Sequence, residues 1–274
     1  MSAEARVRLG AVGYLNARPL VYGLDRLPRF DLRYDIPSEC ANLLHAHMID
    51  VGLIPSIEYL RGPRSYAFVP GPAVTSRGPV ASVAIDPRVD PRDIQSMAMD
   101  TSSRTSVALA TVMMRREFGV TPDAVPMPPD LDAMLARADA ALIIGDNALF
   151  LNPQSESAIP NPQSAITKID LGQLWTESTG LPFVYAVWVG WPDAVNAEDV
   201  CLLQRARDEG VAAADEVAVA YYPDDPDRQA VARRYLRDNI RYALGADELE
   251  GLRAFFRYAA EAGLVPGPRE LRFF

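Results

Sequence analysis

Short apolar runs separated by polar turns open the chain. "RVRLGAVGY" is apolar-rich and ends in a turn, and "FDLRYDIP" alternates; both predict strands. "SECANLLHAHMI" reads as a short helix with Ser38 at its N-cap and Glu39 close behind. "DVGLIPS" predicts a buried strand stopped by proline, and "YAFVPGPAV" and "GPVASVAID" add two more. Strands separated by helix-length segments predict βαβ units and a largely parallel sheet.

The pattern then restarts. "SMAMD" predicts a strand, Ser103 to Phe118 a helix, "VPMPPD" a turn, "LDAMLARA" a helix and "DAALIIGD" a strongly apolar strand. Next comes a proline- and serine-rich stretch in which "NPQS" occurs twice, too short for an architectural repeat and read as an exposed loop. "LPFVYAVWVGW" is one more long strand, and the remainder reads as helical: "VCLLQRARDEGVAAADEVAVAYY", "DRQAVARRYLRDNIRYALG" and "DELEGLRAFFRYAAEAG". In the second of these helices Val231, Tyr235 and Asn239 share a stripe, with Leu236, Ile240 and Ala243 beside it. A strand leaving the first unit (Val80 to Asp86) and another returning (Leu181 to Trp191) imply an α/β protein of two lobes joined by two crossing strands around a central cleft. The expected division is 1–85 plus 190–274 for one lobe and 86–189 for the other. Ligands in open α/β sheets sit beyond the carboxyl ends of strands, so the residues after strands are the candidates.

Composition narrows the function classes. The chain has 274 residues, 49% hydrophobic and 23% charged, the profile of a globular protein. A net charge of −9 argues against nucleic-acid binding, which needs a basic face. A small anion remains compatible, since a pocket's field need not follow the total charge. "MSAEARVRLGAVGYL" lacks the basic region and apolar stretch of a secretory signal. No window approaches the roughly 18 apolar residues of a membrane span, so the expected location is the cytoplasm. Cys40 and Cys201 make no metal-like spacing and read as buried free thiols. Lys168 is the only lysine and sits in what reads as a surface turn, which disfavours Schiff-base chemistry. His45 and His47, the only histidines, are two apart on an expected helix and point in different directions.

The densest chemistry is "DTSSRTS". Asp100 ends a strand, and five hydroxyl residues with Arg104 fill positions 101–106, where the next helix begins. One or two hydroxyls suffice for a cap. Five exceed that need, at a helix end whose unpaired N–H groups already suit an anion. A carboxylate is favoured over a phosphate because no glycine-rich loop lets a phosphate close in. Asn16, in "GYLNARPL" after the first strand, offers a donor and an acceptor without charge; the alternative is a plain β-to-α turn with Pro19 near a helix start. Ser82 lies in the outgoing crossing strand, Ser56 at a strand end, and Asp146 ends "LIIGD", where it caps the next helix or meets a ligand hydroxyl.

Taken together, "GYLNARPL", "GLIPSIEY", "GPVASVAI", "DTSSRTS", "DAALIIGDNAL" and "LGQLWTESTGLPFVYAVW" resemble, in the same order, the chorismate dehydratases of the futalosine route to menaquinone. The resemblance runs from about Val7 to about Trp191 and is looser in the helical tail. It implies a type II periplasmic-binding-protein-like fold and conversion of chorismate, a dicarboxylate, to 3-[(1-carboxyvinyl)oxy]benzoate and water, without a cofactor. It also implies that Asn16 and Ser82 are the reactive asparagine and serine. Neither is a base at pH 7, so the substrate's enolpyruvyl carboxylate is expected to take the C3 proton. Ser102, Ser103, Thr105 and Ser106 would grip the carboxylate onto which charge flows, with Ser56 and Asp146 completing the site. Removing one good donor from such a site costs roughly 3–4 kcal/mol in barrier. Arg18 and Arg104 fit either substrate contact or loop bracing.

Two alternatives remain. The 1,4-dihydroxy-6-naphthoate synthases of the same route are similar in fold but carry a "PND"-type start, and a histidine where this chain has "IGD". A solute-binding protein would bind a small anion without chemistry.

Overall fold

A computed structural model describes residues 6–63, 65–151 and 168–274. The stretch with both "NPQS" copies, expected to be an exposed loop, lies outside the described residues. The strands are β1 Val7–Val12, β2 Phe30–Asp35, β3 Val51–Pro55, β4 Ala67–Ser76, β5 Val83–Pro87, β6 Ser96–Asp100, β7 Asp123–Met127, β8 Ala140–Ile144, β9 Ile169–Asp170, β10 Phe183–Gly190 and β11 Arg241–Ala243. They form a six-stranded sheet, β11-β4-β10-β3-β1-β2, and a five-stranded sheet, β7-β6-β8-β5-β9.

The sheets are mixed rather than largely parallel. β10 runs antiparallel to both β3 and β4, and β5 runs antiparallel to β8. The reason is connectivity: a strand that arrives from the other sheet, without a crossover helix over its own, is free to enter in reverse. β5 is wholly in the second sheet and β10 wholly in the first, so breaks at 85/86 and 189/190 would cut through paired strands. The chain changes sheets at 77–82 and 171–182 instead.

Several local expectations give way to tertiary pairing. "VPMPPD" is not only a turn: Asp123–Met127 forms β7, with Pro126 opposite Met99 at the sheet edge, where a missing N–H is tolerated. Ser38 does not cap the first helix; Pro37 takes its first position and Ile36 precedes it. His45 ends that helix, while His47 lies beyond it at φ 57 and stacks on Trp191. Lys168 leads into β9 and the helix Leu171–Thr179, with its ammonium donating to the Ala148 carbonyl. The expected helix "DRQAVARRYLRDNIRYALG" stops early. An α-helix over Pro226–Arg234 passes into a single π-helical turn, Tyr235–Asn239, and Arg241–Ala243 joins the first sheet, so Ile240 and Ala243 leave the expected stripe. Cys40 is buried, as expected, but Cys201 is exposed. Among the described residues no helix is long and apolar enough to cross a membrane.

One charged cluster braces the start of the second sheet's first helix. Glu58 is buried and accepts from His45 Nε2 (3.1 Å), Arg61 (2.9 Å) and Arg104 (2.9 Å). Burial alone pushes this carboxyl's pKa up, but the His45 and Arg61 hydrogen bonds and the Arg104 charge outweigh it and hold the pKa below the usual carboxylate range. A depressed folded-state pKa stabilises the fold above the unfolded value and loses that contribution as pH falls through the folded one. Wild-type Tm is therefore expected to drop on acidification below about pH 4.3. Glu58→Gln should start lower and fall less steeply; parallel acid limbs in thermal melts would contradict this.

Candidate functional site

The site is assembled from three chain segments that leave strands. β1 ends at Val12, and Gly13 and Tyr14 lead into a 3₁₀ helix, Leu15–Val21, that carries Asn16 in its first turn. Pro19 lies inside this helix rather than at its start. From the other sheet, β6 ends at Asp100 and the chain enters the helix Arg104–Met113. Ser103 is its N-cap and accepts from the Ser106 N–H at 3.4 Å, while Ser106 Oγ donates to Ser103 Oγ at 3.0 Å. The third segment is the connection before β5. Val80 and Ala81 donate their N–H groups to the Asp170 carboxylate (3.0 and 2.6 Å), which holds Ala81 at φ 63. That left-handed residue turns the chain so that Ser82, one position before β5, faces inward.

These segments line a narrow cavity of about 40 Å³, which would have to widen around a bound small molecule. Asn16, Ser82, Ser103 and Ser106 all line it, joined by the phenols of Tyr14 and Tyr185. Its walls are apolar, from Val12, Leu53, Val74, Val83 and Ile144, and among the described residues no lining side chain carries a formal charge. An anion here would be met by hydroxyls, an amide and a helix N-terminus. Gly145, after β8, is required by geometry: it sits at φ +65, and a Cβ there would lie 3.1 Å from the Tyr14 ring.

The other expected site residues lie elsewhere. Thr105 is fully buried; its Oγ1 accepts from the Ile57 N–H (3.1 Å) and lies 3.4 Å from Ser56 Oγ. Ser56, also fully buried, donates to the Val184 carbonyl at 2.8 Å. Residue 105 is two positions past the cap, so its side chain turns from the cavity toward the first sheet. Thr105→Ala is accordingly expected to cost about 1–3 kcal/mol of stability, because the buried Ile57 N–H loses its acceptor. Turnover should stay within twofold of wild type, checked by denaturant melts beside steady-state kinetics. Ser102 is held outside the cavity wall, its Oγ accepting from Tyr14 at 3.0 Å. Asp146 does not cap its helix; Ile144 precedes that helix, and the carboxylate accepts from the Leu15 N–H (3.2 Å) and from Tyr221 (2.6 Å). Burial pushes the Asp146 pKa up, against the Tyr221 hydrogen bond that lowers it. Asp146 thus latches the residues after β8 to those after β1, beside the cavity rather than in it.

Both arginines brace. Arg104 is spent on Glu58 and on Asn42 Oδ1 (2.7 Å), and Arg18 donates to the Gly13 carbonyl (3.0 Å) with its guanidinium over the Tyr34 ring. Sequence reasoning missed three phenols. Tyr14 and Tyr185 form part of the wall, and Tyr235 donates to Ser82 Oγ at 2.6 Å from 153 residues away. The only local signal for Tyr235 was a hydroxyl on an apolar stripe, since a buried phenol needs a partner.

Comparison with known proteins places this geometry in context. The family model described as "Menaquinone biosynthesis" matches residues 7–261. A curated protein of Thermus thermophilus named "Chorismate dehydratase" is 31% identical over 259 residues, covering 90% of this chain and 93% of the relative. Among solved structures, a protein from Archaeoglobus fulgidus superposes with a TM-score of 0.72 at 16% identity, covering 95% of this chain and 98% of the other. A Candida albicans gene product, described as having the generic periplasmic binding protein structural fold, gives 0.61 at 9% identity, covering 97% and 92%. The periplasmic aliphatic sulphonate binding protein of Escherichia coli gives 0.57 at 15%, covering 96% and 94%. At these identities the structures establish the fold, and that fold is periplasmic-binding-protein-like, as expected.

Proposed function

Because this chain belongs to the menaquinone biosynthesis family, matched over residues 7–261, we propose that it is a chorismate dehydratase acting in the futalosine route. The observation that carries this reading is the near full-length match to the curated Thermus thermophilus dehydratase, at 31% identity. The uncharged, hydroxyl-lined cavity supports it. On this reading the elements from β5 to β9 form one lobe and the flanking segments the other, with chorismate between them, and the enzyme works in the cytoplasm without a cofactor.

Chorismate carries a ring carboxylate and an enolpyruvyl carboxylate. Loss of the C3 proton pushes its electron pair through the ring toward the ring carboxylate; the pair returns to form the C3–C4 double bond as the C4 hydroxyl departs. The product is an aromatic enol ether and water. Ser103 and Ser106, at a helix N-terminus, hold the ring carboxylate where charge collects, which is the kind of preorganised stabilisation that lowers such barriers. The apolar walls keep competing water away and strengthen each donor. Asn16 and Ser82 orient the enolpyruvyl carboxylate, which takes the C3 proton, and the leaving hydroxyl. Among the described residues no side chain facing the cavity is a base at neutral pH, and the chemistry needs none if the substrate supplies its own.

The test is direct. Purified protein is incubated with chorismate and the aromatic ether followed by chromatography. Its appearance at enzyme-dependent rate is the expected result. Chorismate recovered unchanged despite saturable binding would point instead to solute binding, as in the sulphonate-binding structural neighbour.

A further inference from the structure

Tyr235 occupies an unusual position. It is the first residue of a π-helical turn, Tyr235–Asn239, wedged between the helix Pro226–Arg234 and β11. π-turns inside α-helices recur at functional sites because they re-aim one side chain. This turn is pinned onto the connection that carries Ser82, since Asn239 Nδ2 donates to the Pro79 carbonyl at 2.9 Å. The Tyr235 ring is buried, and its hydroxyl donates to Ser82 Oγ at 2.6 Å, a short bond for two neutral hydroxyls. The Asn16 side chain lies near enough to this phenol to influence its ionisation. One buried hydroxyl thus bonds Ser82, with Asn16 nearby, without itself lining the cavity.

We infer that Tyr235 is a positioning residue for the dehydration, fixing Ser82 as a hydrogen-bond donor into the cavity. A serine hydroxyl has one proton and two lone pairs. With the Tyr235 proton on one lone pair, the serine's own proton is free to point at the substrate's departing C4 oxygen. Without that contact the serine can rotate and spend its proton on the phenol oxygen. Burial raises the phenol's pKa above its ordinary value, so the phenol stays protonated and donates throughout the working range. Ser82 and Tyr235 both keep their protons: the proton leaving C3 passes to the enolpyruvyl carboxylate and then to the departing hydroxide, giving water.

This inference rests on the dehydratase reading, and a double-mutant cycle separates the two. Tyr235→Phe should lower kcat for chorismate on the order of tenfold, with KM changed no more than about twofold, as loss of one orienting hydrogen bond implies. Ser82→Ala should lower kcat at least as much, and Tyr235→Phe added to Ser82→Ala should lower it no further. Full multiplication of the two effects, or unchanged kcat in Tyr235→Phe, overturns the positioning role while leaving the dehydratase reading intact. Wild-type protein that does not convert chorismate removes that reading and this inference together. Should Tyr235→Phe fail to fold, a fluorinated tyrosine at 235 keeps the shape and the donor but ionises more readily. Its kcat should then gain an alkaline fall that the wild type lacks, and an unchanged pH profile overturns the role equally.

Discussion

Asn16→Ala is expected to lower kcat for chorismate by about a hundredfold or more, the usual consequence of deleting one preorganised polar group from a water-poor site. Asn16 is partly buried in the first turn of the 3₁₀ helix after β1 and lines the cavity. Carried on a helical turn anchored in the core, the amide is held at the cavity wall, so its loss should act on the transition state more than on substrate binding. The signature is a large fall in kcat with a smaller change in KM. Stability should change little, since the 3₁₀ helix is anchored by buried Leu15, Ala17 and Leu20 rather than by Asn16. Steady-state kinetics beside a thermal melt checks both halves. A kcat within twofold of wild type would remove Asn16 from the mechanism.

The largest effect on stability is expected at Trp175. It is fully buried in the helix Leu171–Thr179, on the connection returning to the first sheet. Its ring packs against Phe183 (5.1 Å), Tyr258 (5.9 Å) and Phe255 (6.2 Å), and its Nε1 donates to the Pro182 carbonyl at 3.2 Å. One side chain thus joins the returning connection, the start of β10 and the last helix. Trp175→Ala deletes that ring, leaves a cavity the three aromatics cannot fill, and strips a carbonyl of its donor. The expected cost is about 4 kcal/mol, which for a chain of this length lowers Tm by on the order of 10 °C. Trp175→Phe should recover most of the packing but not the hydrogen bond. A fall in Tm below about 3 °C for the alanine variant would contradict this account.

The cavity's donors divide into those visible in a linear reading and those that are not. Ser103 and Ser106 were both, with Thr105, part of one hydroxyl-rich helix start. The cap position and the residue three later face the cavity, and Thr105 between them turns into the core. Chemistry of residue type does not distinguish Ser106 from Thr105; the helix's rotation against the first sheet does. Ser56 illustrates the same limit: a serine at a strand end reads as available, yet its hydroxyl is taken by the Val184 carbonyl of a strand that enters from the other sheet. Asp146 reads as a cap or ligand contact and is instead a latch on Leu15 and Tyr221, both far away in the chain.

Apolar periodicity and turn chemistry, which are local, were enough to locate the main strands, the restart of the α/β pattern and an anion-suited helix end. The alternation of side chains in a strand and the orphan N–H groups of a helix exist before any long-range contact forms. Edge strand β7, strand β11, the mixed sheet order and the sheet to which β5 and β10 belong were decided by pairing between distant segments. So was the placement of Tyr235 against Ser82. Such partners carry no mark in their own neighbourhoods: a hydroxyl on an apolar stripe acquires its meaning only from the acceptor that folding brings to it.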